Sequence, residues 1–520
     1  MHHRLVRDGR IAALIVLMLI LLSVYAYELY QLQIIEGEKY YNQSNEITTE
    51  ERPITAARGN ILDRYGRVLV SNTEVYNLTI DTTKLFANED PNETILGLVN
   101  MVEGYGDTYT DDLPITSEPP FEYDPNMTEI QRTMLKAYIE DKKDDLKAIA
   151  VDPDNPTAVE LMSYMRTRYS IDNSYSAQEM RIIAGVRYSI NVRYAINTAD
   201  YVFVENASMK LITSIMENKL SGINVNRAYK REYGTDYAAH ILGYVGLMTQ
   251  EEYEKYSLLK YSTDAYVGKD GVEYAFEEYL HGVDGEAEVY SNLDGVTLRT
   301  KYTKEPQPGG HVYLTLDIGL QEVCEEALAA HIESINEDRA RIIAEAEMYG
   351  TESTEMISGG ALCVVKVDTG EPLALVSYPT YDAATMLDNY ETLVADENAP
   401  LYNRALMGVY APGSTFKPCT ATALLAEGII SPTRTLKTEG QFTKYIDDGY
   451  APECWIYSTY KYTHGEINVV QAITYSCNYF FYYFGDELGI DKMAYYAKLY
   501  GLGEHTGIEL PEVTGQMSTQ

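Results

Sequence analysis

Basic residues are scarce in this chain. Across 520 residues, 41 Lys and Arg stand against 78 Asp and Glu, a formal charge of −37. Such a field repels phosphate backbones and argues against nucleic acid as a partner; its plain consequence is a soluble, self-repelling surface. Cysteine is also sparse. Cys324, Cys363, Cys419, Cys454 and Cys477 form no C-x-x-C pair, and five thiols cannot all pair within one chain. The length excludes a small disulfide scaffold, and the cysteines leave the redox compartment undecided. Tryptophan occurs once and phenylalanine nine times against 48 tyrosines, a bias with no physical account. No internal repeat is evident. With 45% hydrophobic residues, the chain can build two or three packed domains.

The N-terminus carries an apolar run. Arg4, Arg7 and Arg10 precede Ile11–Tyr27, seventeen residues that would span about 26 Å as a helix, near the lower limit for a bilayer. The basic flank stays in the cytoplasm by the positive-inside rule, which gives residues 1–10 as a cytoplasmic tail and 11–27 as a transmembrane anchor. A cleaved signal peptide is the rival, because Val24-Tyr25-Ala26 loosely fits a cleavage site. The run exceeds a usual signal core and continues into a helical-looking Glu28–Gly37, which favours the uncleaved anchor. On either reading the bulk of the chain is exported.

Beyond a polar stretch, Arg58–Leu69 has glycines suited to turns, and Val68, Val70, Val75, Leu78 and Ile80 alternate as in strands. Residues 87–157 are acidic and punctuated by proline, which predicts an inserted loop region with one helix near Thr128–Ala148. A mixed segment with short strands runs on to about Gly310. There the pattern changes: His311–Asp317 reads as a strand, Ile318–Met348 as one long helix with a solvated acidic face, and Ala361–Val367 with Pro372–Tyr378 as a hairpin. The domain boundary is placed near Gly309-Gly310, with residues 28–309 before it and 310–520 after it.

Ala411-Pro412-Gly413-Ser414-Thr415-Phe416-Lys417 combines turn residues with a helical run that ends near Gly428. Ser414 would enter the helix with Lys417 one turn on, along the same face. A neutral lysine amine can take the serine proton, and partial burial lowers the lysine pKa toward that form. The S-x-x-K spacing by itself is weak, since Ser257/Lys260 and Ser458/Lys461 match equally well. The S-x-N spacing likewise occurs at Ser189/Asn191, Ser334/Asn336 and Ser476/Asn478. Context separates them. Only Ser414 has a turn before it and a clear helix after it, and only Ser476-Cys477-Asn478 lies between two apolar segments of the same region. In an extended turn, Ser476 and Asn478 would face one cleft. Cys454 and His464, with Asp447 or Asp448, fit no zinc spacing, and Cys477 reads as a small core residue, so neither metal nor cofactor is expected.

Taken together, the motifs resemble those of class B penicillin-binding proteins. S-x-x-K and S-x-N belong to that signature. Arg58–Leu69 is similar to the R-G-x-I-x-D-R-x-G motif of the class, and Asn403-Arg404-Ala405 with Tyr410–Pro418 to its nucleophile region. Ala239–Gly246, Gly268–Glu277, Leu314–Asp317 and Gly501–Gly507 match further segments in the same order. The resemblance implies an α+β fold: a transmembrane helix, an elongated dimerisation-type pedestal, and a transpeptidase domain with helices around an antiparallel sheet. It implies that Ser414 attacks the D-Ala-D-Ala amide of a peptidoglycan stem peptide, with Lys417 as general base, Ser476 as proton relay and Asn478 as a ligand for the donor. An amine from a second stem peptide then resolves the acyl-enzyme, and a β-lactam would trap Ser414. The expected setting is the cytoplasmic membrane, with the catalytic domain on its outer face beside other membrane proteins of wall synthesis such as a glycosyltransferase.

One motif is missing. No K-T-G or K-S-G follows Asn478; Lys437-Thr438-Glu439-Gly440 is interrupted and comes too early, and His505-Thr506-Gly507 lacks the lysine. The family places this motif on a later strand that closes the site, so the sequence reads as truncated and a poor catalyst as it stands. The missing motif keeps open a non-catalytic β-lactam sensor or wall scaffold. Shared S-x-x-K chemistry keeps open a D,D-carboxypeptidase or β-lactamase-type hydrolase.

Overall fold

The computed structural model describes residues 18–27, 29–31, 48–196, 201–218, 220, 222–259, 261–262, 265–291, 297–350 and 353–518. Residues 18–27 are helical, but 11–17 of the expected anchor and 32–37 of its continuation lie outside the described residues. Among the described residues no helix is long and apolar enough to cross a membrane.

The N-terminal part is organised by two sheets. Strands β1 (Thr48–Ile54), β6 (Gly285–Ser291) and β7 (Thr297–Lys304) form an antiparallel sheet in the order β1-β6-β7. The second sheet is built on β3 (Val68–Ile80), one thirteen-residue strand that buries Leu69, Val70 and Val75 and the run Leu78–Ile80. It pairs antiparallel with β2 (Ile61–Leu62), β4 (Tyr201–Val204) and β5 (Ile223–Tyr233). β8 (Val312–Tyr313) joins it parallel to β2, so the chain is still part of this sheet just past Gly310. The expected strand over His311–Asp317 is therefore only two residues long, and Asp317 instead caps the next helix through its side chain. Backbones cross closely here. A Cβ on Gly59 would meet the Gly310 carbonyl oxygen at 1.8 Å, which leaves room for glycine alone.

The segment between β3 and β4 corrects the expected loop region. It is helical: α1 (Pro91–Tyr105), α2 (Glu129–Asp141), α3 (Lys143–Ala148), α4 (Ala158–Arg168) and α5 (Ala177–Ile196). The single helix expected over Thr128–Ala148 is two, separated at Lys142. Local signals account for α1. Asp90 accepts from the Asn92 and Glu93 N–H groups, Pro91 takes the first helical position where no donor is needed, and Gly106 ends the helix at φ +81°. Ile95, Leu98, Val99 and Val102 are its buried stripe. A separate apolar core around Leu161, Met165, Ile183 and Tyr188 holds α2–α5 together.

The C-terminal part opens with α7 (Ile318–Tyr349), whose outer face is solvated and which packs on the hairpin β9 (Gly360–Val365) and β10 (Pro372–Tyr378). A helical layer follows: α8 (Lys417–Ala426), α9 (Trp455–Tyr460), α10 (Val469–Thr474), α11 (Asn478–Leu488) and α12 (Ile490–Leu499). Leu424, Ile467, Ala472, Phe480 and Phe484 close its core. Between β5 and β6 lies the short α6 (Ala239–Leu242), which packs against β10. The architecture is α+β in two parts.

Candidate active site

Ser414 sits in a 3₁₀ turn, Gly413–Phe416, that runs directly into α8. Gly413 has φ +58° with open space around a would-be Cβ, so its backbone conformation, not crowding, calls for glycine. The turn leaves Ser414 exposed while Lys417, one turn on, is half-buried. The buried side of α8, carrying Cys419, Thr420, Ala423 and Leu424, fixes the rotation that aims Lys417 at α11.

Ser476 and Asn478 come from the corner between α10 and α11. The extended turn expected there is not found. Ser476 adopts φ +50°, a left-handed conformation uncommon for serine, and Asn478 begins α11. The bend has a consequence. Lys417 Nζ donates to the Ser476 carbonyl at 2.8 Å, to Ser476 Oγ at 2.9 Å and to Asn478 Oδ1 at 2.6 Å. Ser476 Oγ in turn lies 2.9 Å from Ser414 Oγ. The structure thus brings all four residues together, with Lys417 joined to Ser414 through the Ser476 hydroxyl. Burial lowers the Lys417 pKa from its ordinary value, partly offset by the nearby Cys454 and Cys477 thiols. The Phe481 ring lies 5.7 Å from the amine.

The other motif matches are placed elsewhere. Ser458 is on α9 and bonds the Trp455 carbonyl, while Lys461 pairs with Glu453. Ser257 is in a 3₁₀ turn, and Lys260 is outside the described residues. Ser189 is buried in α5, and Asn336 on α7 ties down Ile357.

Directly behind the site lies a donor cluster of which sequence spacing offered only Cys454 and His464, and rejected them. Cys454 Sγ, an imidazole nitrogen of His464 and Cys477 Sγ lie within 4.8 Å of one another, without Asp447 or Asp448. Cys477 is fully buried, as a core residue would be, but its sulfur is 3.9 Å from that of Cys454. Burial raises the Cys477 thiol to about 12, and His464 is held below its usual value by burial and by the Lys417 charge. Two sulfurs and an imidazole are a donor set that could hold a metal such as zinc. Nine and twelve residues of intervening chain hide the grouping from a search for short ligand motifs.

Comparison with known proteins identifies the family. The model of the penicillin-binding protein dimerisation domain matches residues 53–314, and that of the penicillin-binding protein transpeptidase domain matches residues 360–520. The chain belongs to the penicillin-binding protein family. The peptidoglycan D,D-transpeptidase MrdA of Escherichia coli K12 is 27% identical over 96% of this penicillin-binding protein and 64% of its own length. MrdA of Acinetobacter baumannii is 32% identical over 57% of this chain and 40% of its own. The chain therefore spans less than two thirds of these relatives. Among solved structures, a chain from a peptidoglycan synthase complex that coordinates polymerization and crosslinking aligns with a TM-score of 0.56 and 27% identity, over 98% of this chain and 71% of that one. PBP2 of Helicobacter pylori, solved with MreC, shares the fold at a TM-score of 0.56 and 21% identity, over 90% and 68% of the two chains.

Proposed function

We propose that this protein is a peptidoglycan D,D-transpeptidase that works through an acyl-enzyme on Ser414. The observation that carries the reading is the hydrogen-bonded line from Lys417 through Ser476 to Ser414. With Lys417 neutral, hydroxyl rotation lets Ser414 donate to Ser476 and Ser476 donate to the amine. Ser414 Oγ, losing its proton along that line, attacks the carbonyl carbon of the D-Ala-D-Ala amide. The C–N bond then breaks, and the departing D-Ala amine takes the proton back. An amine from a neighbouring stem peptide attacks the resulting ester, forms the cross-link and frees Ser414. Asn478, already held by Lys417, is placed to bind the donor's amide backbone.

In this reading residues 28–309 are the pedestal and 310–520 belong to the transpeptidase domain. Residues 11–27 are a single-pass anchor in the cytoplasmic membrane that leaves the domain outside. The names of the relatives support the reaction, and the synthase-complex structure supports a glycan-polymerising partner. Fluorescent penicillin added to the full-length protein tests the assignment. Labelling should map to Ser414 and vanish in Ser414→Ala; labelling that survives the substitution, or maps to Ser257 or Ser458, refutes it.

A further inference from the structure

Trp455, the only tryptophan of the sequence, opens α9 and is half exposed. Its indole Nε1–H donates to the Tyr475 carbonyl at 3.1 Å. The other side of that same peptide is also engaged, because the Ser476 N–H donates to the Ile473 carbonyl at 3.0 Å. The Tyr475–Ser476 peptide plane is therefore held at both ends, immediately before the left-handed bend at Ser476. A non-glycine residue persists in that conformation only where its surroundings fix it. The carbonyl caught by the indole is one of those that the end of α10 leaves without a helical donor. Aromatic contacts set the indole itself: its ring meets His464 edge-on at 5.8 Å and 62°, and His464 stacks parallel to Tyr475 at 5.8 Å and 2°.

We propose that Trp455 is a positioning residue: its indole N–H fixes the Tyr475–Ser476 peptide in the orientation that aims Ser476 at both Lys417 and Ser414. The inference rests on the acyl-enzyme reading and extends it to a residue outside the S-x-x-K and S-x-N motifs. Rotating that peptide would swing the Ser476 carbonyl away from Lys417 and withdraw its Oγ from Ser414. The line between base and nucleophile would break with every member of it still present. A change at Trp455 should thus slow acylation and leave capture of the β-lactam intact.

Two variants of the full-length protein test this. Trp455→Phe removes the N–H and part of the ring. Replacing Trp455 with β-(3-benzothienyl)alanine puts sulfur where the N–H was and keeps the ring shape. Penicillin acylation measured across β-lactam concentrations separates the non-covalent binding constant from the limiting acylation rate. In both variants the limiting rate should fall about three- to tenfold, as loss of one neutral hydrogen bond implies, with binding constant and melting temperature unchanged. A limiting rate at the wild-type level in the sulfur analogue overturns the proposal. So does a rate that falls only together with the melting temperature in that analogue, which would make Trp455 a packing residue. Failure of the acyl-enzyme reading looks different, since wild-type labelling would then survive Ser414→Ala.

Discussion

Lys417→Met is the sharpest perturbation of the site, because it removes the amine and keeps most of the aliphatic stem. A positioned general base is worth about 10²–10⁴ in rate, or roughly 3–5 kcal/mol of barrier at 1.36 kcal/mol per decade. The effect on folding should be much smaller. Three oxygens lose their donor: the Ser476 carbonyl, Ser476 Oγ and Asn478 Oδ1. Hydrogen bonds to a charged group contribute about 1.5–3 kcal/mol each when buried, but this site is only half-buried and water can replace the donor. Removing the ammonium also relieves its desolvation, the largest influence on its pKa. The net change should stay near 1 kcal/mol, a few degrees in melting temperature for a domain of this size. The assay is acylation of the full-length protein by fluorescent penicillin, run beside thermal unfolding. pH adds a second signature. Because the base must be neutral, wild-type acylation should rise with pH through the Lys417 pKa and level off at a pH below the ordinary lysine value of 10.5. The methionine variant should lose that rise. A variant within threefold of wild type, or a wild-type rate that falls as pH climbs over this range, refutes Lys417 as the base.

Asp63 is fully buried and accepts from the Tyr65 N–H, the Arg67 N–H and the Arg67 guanidinium, which also reaches Asp317. Asp63→Ala should cost about 2–4 kcal/mol, read from denaturant unfolding, while Asp317→Ala, which gives up the α7 cap and a partly exposed ion pair, should cost about 1 kcal/mol. His240 is buried and its pKa is lowered to about 4, chiefly by burial. Above pH 6.5 it is neutral in both states. Between 6.5 and 4 the unfolded chain binds the proton first, so stability should drop by about 3 kcal/mol over that window. The fall in unfolding midpoint from pH 7 to pH 4 should shrink in His240→Gln; an unchanged pH dependence would remove His240 as its source.

The four site residues were legible because each pair is local, and local spacing on a turn and a helix is what sequence displays. Ser414 and Lys417 share one turn entering α8, and Ser476 and Asn478 flank one corner. How the two pairs meet was not legible. It depends on the rotation of α8 against α11 and on a left-handed serine that no propensity favours. Cys454 and His464 were weighed as metal ligands and set aside, and Cys477 was not joined to them, because packing of separate segments assembles the three. The helical insertion failed differently. Residues 87–157 were read as a loop region because prolines punctuate them, although Asp90-Pro91 is a helix start and the Ile95, Leu98, Val99, Val102 spacing is helical. β3 was legible as a strand, but its faces were not: Val68 is exposed, Leu69 and Val70 are both buried, and Leu78, Thr79 and Ile80 are buried in a row, a pattern set by packing and not by period two.

The N-terminal part is fastened to the stretch of chain that leads to Ser414. The His240 ring on α6 bonds the Pro400 carbonyl at 2.7 Å, and the His240 carbonyl receives Asn403 Nδ2 at 3.2 Å. Tyr381 donates to the Ala239 carbonyl at 3.2 Å from the other side. Arg404, next in the chain, folds its guanidinium back onto the Asn398 and Ala399 carbonyls, and Ser377 Oγ on β10 receives the Ala405 N–H. Residues 398–405 are thereby pinned between α6 and β10, nine residues before Ser414. Beneath them one apolar cluster draws Ile61, Leu69, Leu242 and Leu280 from the N-terminal part together with Leu375 and Leu510 from the C-terminal part. Hydrogen bonds between neutral groups depend on geometry, whereas apolar contact tolerates sliding. The leucines and isoleucine hold the two parts together, and the His240 contacts fix their register. A shift of α6 would therefore be felt at the segment that delivers Ser414 before it reached the helices carrying Ser476 and Asn478.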